Sequence, residues 1–323
     1  MKQNVKAKAV MKMVGNQKAL IAVILLFILM LFFPTNFYSA YNLIDMLNSS
    51  SILLIIAFGV TMTVVAGGND LSVGGNMVLS GIIAIRLMND LNLNMWLAII
   101  IAAIIGGLVG FINGFLVVHQ KTESFIITLG MGMLLTGIAQ LLSQSRSVVA
   151  MNSGFSTIAN GRIAFGITNL VIIMLVLFLL MHIILRYTQF GNNVYAVGGD
   201  YEVARYSGIN VVFTKWTAYV LCGILAAVAG VLQASKLNSG SYLYGETTAL
   251  VVNCGVVVGG VSFAGGIGSI PKAAVGIFMF GLLENVLNML GIQSYLQTLL
   301  TGVITVSIIW FDSFARKRKR ETV

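Results

Sequence analysis

Apolar positions along this chain run continuously rather than alternating, and they fall into ten stretches divided by short polar or glycine-rich connections. These are Ala19–Phe33, Ile52–Ala66, Asn76–Met88, Met95–Val118, Phe125–Leu142, Thr168–Leu185, Trp216–Ala234, Thr247–Phe263, Lys272–Leu290 and Leu296–Phe311. A helix needs about 20 apolar residues to cross a bilayer, whereas a barrel strand shows an alternating segment of about ten. The pattern predicts an all-α polytopic membrane protein with about ten transmembrane helices and both termini on one side. Two connections are long, Ser143–Ile167 and Arg186–Lys215, yet neither can hold a soluble domain, so residues 1–323 read as a single transmembrane domain. Lysines precede the first stretch, but Tyr38-Ser39-Ala40-Tyr41 is not a small-x-small cleavage site, and a retained anchor is expected.

Composition agrees. Hydrophobic residues make up 58% and charged residues 9%, against about 25% charged in soluble domains. Mean hydropathy is +0.95. Cys222 and Cys254 lie inside apolar runs and read as small packing residues, while His119 and His182 stand far apart, so metal and redox chemistry are not expected.

Charge fixes the orientation. With both termini cytoplasmic, the inside residues are Lys2, Lys6, Lys8, Lys12, Lys18, Lys121, Arg186, Arg205, Lys215, Lys272 and the tail Arg316–Arg320. Only Arg86, Arg146, Arg162 and Lys236 fall outside, which is the expected positive-inside bias. Residues 1–18 and 312–323 are thus cytoplasmic ends, with the basic tail able to touch anionic membrane lipid. The net charge of +9 needs no nucleic acid to explain it.

No Gly-x-x-x-x-Gly-Lys-Ser/Thr phosphate loop, Gly-x-Ser-x-Gly elbow or His-Glu-x-x-His pair occurs. The chain has no ATPase site or catalytic residues of its own and is not expected to be an enzyme or to hold a cofactor. Transport, a channel or a structural membrane role remains.

Three features are informative. Gly67–Gly75, with four glycines in nine residues, cannot hold a stiff helix, and Asp70 is costly at membrane depth. Either the chain turns at the surface with Asp70 capping the next helix, or backbone unwinds against protein or a water-filled cavity. A second break, Gly259–Gly268, echoes it, and paired interruptions point to a transport pathway. Second, Gly199–Gly208 reads as one short cytoplasmic helix: Asp200 caps it, Glu202 suits its first turn and Gly208 ends it. About seven residues make a rod near 10 Å long, and its mix of charged and aromatic side chains, Arg205 among them, suits docking in a partner's groove. Third, polar residues interrupt apolar helices. Asn113 lies within the Gly106, Gly110, Gly114 packing seam, Glu284 and Asn288 share a face at i, i+4, and Asn253 stands in the eighth stretch. Asn69, Asp70, Ser72, Asn113, Asn253, Glu284 and Asn288 are the pathway candidates; Gly199, Asp200, Glu202, Arg205 and Gly208 are the coupling candidates.

These segments together resemble the permease subunits of bacterial ABC importers for ribose, galactose, xylose and arabinose. Gly67–Gly75 is similar to that family's Gly-Gly-Ile-Asp-Leu-Ser-Val-Gly segment, Gly191–Val211 to its cytoplasmic Ala-x-Gly-Gly-Asn stretch, and Gly259–Ile270 to its Gly-Gly-x-Ser pattern. Ile112-Asn113-Gly114, Phe125–Gly130 and Leu283–Gly291 followed by Ser294-Tyr295 match in the same order. Asn69 stands where isoleucine is usual, Asp200 where asparagine is common, and Thr122-Glu123-Ser124 where a proline usually precedes the Phe-Ile.

The resemblance implies the vitamin-B12-importer-like (type II) permease architecture in a bacterial cytoplasmic membrane. It also implies a second permease copy or a paralogue and two ABC ATP-binding subunits that hold ATP and Mg. A periplasmic or lipid-anchored sugar-binding protein would deliver a monosaccharide. The helix around Gly199–Gly208 would meet the ATPase. Rival readings are the same importer type for branched-chain amino acids or nucleosides, and a gradient-driven transporter using Asp70 and Glu284 as its ion-coupling carboxylates.

Overall fold

The structure is a computed structural model and describes residues 18–33, 36–120, 122–163, 166–245, 247–304 and 306–307. Residues 1–17, Lys121, the end of the Leu296–Phe311 stretch and the basic tail lie outside them. Helices α1 (Lys18–Met30), α2 (Ala40–Val65), α3 (Val73–Leu91), α4 (Met95–His119) and α5 (Ser124–Ser143) come first. Strand β1 (Val148–Val149), the short α6 (Phe155–Asn160), α7 (Asn169–Tyr187), α8 (Gln189–Gly199) and α9 (Tyr201–Tyr206) follow. The chain continues with α10 (Val211–Leu237), β2 (Ser239–Gly240), a 3₁₀ turn (Tyr242–Gly245), α11 (Thr248–Val258) and α12 (Ile270–Met289). Residues 294–304 are helical as well.

Each predicted apolar stretch therefore carries a helix. Six helices among the described residues, α2, α4, α5, α7, α10 and α12, are long and apolar enough to cross a membrane. Boundaries differ most at α2, which starts at Ala40 rather than Ile52. Ser39 caps it by accepting from the Asn42 N–H, and the polar turns Asn42–Ser51 that hid this helix from an apolar count are partly buried. Asn42 and Asn285 exchange side-chain amide bonds at 2.8 and 3.1 Å, fastening α2 to α12. At the other end of the eighth stretch, α11 stops at Val258, five residues before the predicted limit, where the second glycine break begins.

Helix α10 is the hub and packs on α4, α3 and α2. The seam predicted on α4 is where it meets α10: Gly106 faces Gly223 and Ala227, Gly110 faces the Tyr219 carbonyl, and Gly114 faces Trp216. Small residues let the two backbones approach where lipid supplies no hydrophobic drive for helix association. Asn76 of α3 donates to the carbonyls of Gly223 (3.0 Å) and Gly106 (3.3 Å), bolting a third helix to that seam. At the end of α10, β1 and β2 pair antiparallel, Val148 opposite Gly240. Ser235 accepts from the Ala159 N–H and donates to the Phe155 carbonyl, so α6 lies against α10 there.

Candidate functional site

The first glycine segment is unwound, exposed at Gly67 and buried from Asp70 onward. Helix α2 ends at Val65, Gly67 takes φ +75°, and helix resumes only at Val73. A Cβ on Gly68 would overlap the Tyr219 phenol. Free backbone groups in such a place cost about 1–3 kcal/mol each when unpaired, and side chains from three helices pair them. On α5, Ser124 accepts from the Asn69 N–H and Thr128 from the Leu71 N–H, both at 3.0 Å. The Tyr219 hydroxyl of α10 donates to the Asn69 carbonyl at 3.1 Å. On α11, Asn253 donates to the Asp70 carbonyl at 3.1 Å. Asp70 itself, 1% exposed, accepts from the Ser72 N–H at 2.9 Å and the Ser72 hydroxyl at 2.6 Å, and Asn113 of α4 donates to that same hydroxyl at 2.8 Å.

The segment combines parts of both sequence readings: its backbone is unwound and held against protein, while Asp70 accepts from the Ser72 N–H just before α3 begins. Asn69, Asp70, Ser72, Asn113 and Asn253 come together in one cluster. Ser124, Thr128 and Tyr219 complete it. Sequence reasoning missed them because a hydroxyl in an apolar helix looks the same whether it bonds its own preceding turn or a distant carbonyl.

Glu284 and Asn288 are elsewhere. They line a cavity of about 420 Å³ with Thr247, Phe280, Ser294, Gln297, Thr298 and Thr301, between α11, α12 and the helix that follows. Gln297 donates to the Asn288 side-chain oxygen at 2.8 Å. A larger cavity of about 700 Å³ opens between α3, α5 and the start of α11, walled by Leu71, Gly75, Phe125, Met133, Gln140 and Tyr242. Leu250 borders both cavities. Leu71 is the one member of the unwound segment before Ser72 that reaches the larger cavity, so Asp70 is turned away from it.

The second break also has left-handed backbone, at Gly260, Gly265 and Gly266. It ends where Pro271 opens α12, a position that suits a residue without an N–H. The Gly266 N–H donates to the Val65 carbonyl at 2.9 Å, so the two breaks touch. Gly198, near the end of α8, fits between them: a Cβ there would overlap the Val65 carbonyl and the Gly266 nitrogen. The Tyr195 hydroxyl donates to the Gly268 carbonyl at 2.8 Å, and burial pushes that phenol above its usual range, keeping the proton on the donor.

From this junction the chain passes through Gly199 into α9. Asp200 caps it by accepting from the Val203 N–H at 3.0 Å, and Gly208 follows its end with φ +81°. Six residues form the helix, one fewer than the spacing predicts. Ala204 packs inward, Glu202 and Arg205 are exposed, and Tyr206 is 86% exposed. Among the described residues no group of three His, Cys, Asp or Glu side chains could hold a metal.

Helix α9 is thus anchored inward through Ala204, exposed on its other faces, and joined through Gly198 to both glycine breaks. The family described as branched-chain amino acid transport system / permease component matches residues 42–309. The chain belongs to that family. It is 34% identical over 305 residues to the ribose import permease protein of Escherichia coli strain K12, covering 92% of this chain and 94% of that one. The galactose/methyl galactoside import permease protein of the same strain is 30% identical over 317 residues, covering 93% and 94%. The strain's L-arabinose transport system permease protein is 30% identical over 301 residues, covering 93% and 91%. No solved structure matches. As a permease of this family with six long apolar helices, the chain is a multi-pass membrane protein.

Proposed function

We propose that this permease is the membrane subunit of an ATP-driven importer that carries a monosaccharide, a pentose or hexose, across a bacterial cytoplasmic membrane. The observation that carries the reading is the match over more than nine-tenths of the chain to permeases named for ribose, galactose and arabinose. The cavity at Glu284 supports it: one carboxylate, two amides, four hydroxyls and the Phe280 ring surround it, a lining suited to a polyhydroxy ligand with an apolar face.

In this reading the chain crosses ten times in the type II arrangement, with both termini cytoplasmic, and pairs with a second copy or a paralogue. Residues 186–215 form the coupling loop. Two ABC ATP-binding subunits hold ATP and Mg, and α9 docks on them through Glu202, Arg205 and Tyr206. Closure of the ATPases pushes α9, Gly198 carries the push to both breaks, and the cluster of Asn69, Asp70, Ser72, Asn113 and Asn253 positions Leu71 at the pathway. Glu284 and Asn288 meet the sugar that an extracytoplasmic binding protein delivers. No covalent chemistry occurs in this chain.

A second reading, import of branched-chain amino acids, is favoured by the family's description. Purification in mild detergent from the native host, followed by mass spectrometry, separates the readings. A stoichiometric phosphate-loop ATPase and a binding protein that retains a monosaccharide are expected; a binding protein holding an amino acid would move the assignment to the second reading.

A further inference from the structure

Lys215 stands on the second turn of α10, half-buried and on the cytoplasmic side of the layout. Among the described residues the one ion pair joins Arg86 and Asp90, so Lys215 has no carboxylate in contact. Its ammonium instead sits 5.7 Å from the centre of the Tyr201 ring, the first residue of α9. On its other side it lies 4.0 Å from the point a Cβ of Gly67 would occupy, at the start of the unwound segment. One side chain thus contacts the coupling helix and lines the same cavity as Gly67, at the start of the pathway break.

Its surroundings give it somewhere to go. Lys215 lines a polar cavity of about 350 Å³ with Gly67, Glu123, Ser124, Tyr201 and Glu202. Glu202 belongs to α9, and Glu123 precedes α5, with no side-chain bond to the helix start. Two carboxylates on two elements therefore border the volume that holds one unpaired ammonium. Four residues on, on the same face of α10, Tyr219 bonds the Asn69 carbonyl. Lys215 and the group that fixes the break thus stand on one face of one helix.

We propose that Lys215 is a positioning residue of the transport cycle, tying α9 to the Gly67 break through the Tyr201 ring and exchanging between Glu202 and Glu123 as α9 moves. This rests on α9 being the coupling helix. A lysine suits the task because its flexible stem reaches alternative partners, and a cation over an aromatic face is held without being locked.

The test uses the complete importer, with its ATPase subunits and binding protein, in proteoliposomes. Wild type is compared with Lys215→Met, Lys215→Arg and Tyr201→Leu. Lys215→Met and Tyr201→Leu are expected to assemble with the ATPase subunits, while sugar carried per ATP falls about tenfold, within the range of measured coupling energies. Lys215→Arg, which keeps the charge and stacks, is expected to restore most of that ratio. An unchanged ratio in Lys215→Met overturns the proposal. A smaller amount of complex whose surviving fraction keeps the wild-type ratio overturns it too, because Lys215 would then serve stability alone. A wild-type complex that carries no sugar on ATP overturns the importer reading, and this proposal with it.

Discussion

The backbone N–H of Gly266 donates to the carbonyl of Val65 at 2.9 Å. Two glycine-rich interruptions from opposite halves of the chain are thereby one joint, and Gly198 closes it. The last full turn of α2, the break before α12 and the lead into α9 cannot move independently while this contact holds.

Gly198→Ala tests the joint. Its methyl would meet backbone on two sides, and backbone cannot yield as a flexible side chain does. Overpacking of this kind costs about 1–3 kcal/mol. The melting temperature in detergent should fall, and ATP-driven uptake should fall further than the loss of folded protein explains. Gly199→Ala, with open space at its Cβ position, should be close to wild type in both assays.

The unwound segment should weaken when any of its distant partners is lost. Tyr219→Phe leaves the Asn69 carbonyl with only the weaker 3.4 Å bond from Thr128, and Asn253→Ala leaves the Asp70 carbonyl without its side-chain donor. Side-chain hydrogen bonds between membrane helices average about 0.6 kcal/mol, with a maximum near 1.7, so each variant should lower thermal stability by about that much. Because both hold one short segment, the double variant should depart from additivity; two independent additive losses would contradict a shared role.

Asp70 turns its carboxylate to Ser72 rather than to a cavity. Asp70→Asn keeps an acceptor of the same shape and should retain most uptake. Asp70→Ala leaves the Ser72 N–H unpaired and should cost about 1–3 kcal/mol of stability. A strong loss of uptake in Asp70→Asn at normal expression would instead make the charge part of the pathway.

Glu202→Ala combined with Arg205→Ala removes both exposed charges of α9 without touching the inward Ala204. Recovery of the ATPase subunits with the tagged permease should drop by about tenfold or more, as loss of central interface residues does. Undiminished recovery would place the docking surface elsewhere.

Much of this arrangement is legible in the sequence. Continuous apolar runs located every helix that crosses the core, and Asp200 and Gly208 marked the ends of α9, because capping and helix termination are local chemistry. The start of α2 was not legible: Asn42, Asp45, Asn48 and Ser49–Ser51 dilute its apolarity, and the partner that makes Asn42 tolerable, Asn285, is on the far side of the sequence. The same holds for Ser124, Thr128 and Tyr219. Lys215 and Tyr219 offered a faint signal, two polar-tipped residues four apart at the start of an apolar helix, but what they touch is set by tertiary packing. Glu284 and Asn288 were visible as a shared face, whereas the hydroxyls opposite them on residues 294–301 became a site only through folding.

The most direct measurement is uptake of labelled ribose, galactose and arabinose by proteoliposomes holding the permease with its ATPase subunits and binding protein. Accumulation that requires ATP on the ATPase side and the binding protein on the other, and that ignores collapse of proton and sodium gradients, is the predicted result. Uptake by the permease alone, driven by such a gradient and indifferent to ATP, would contradict the account.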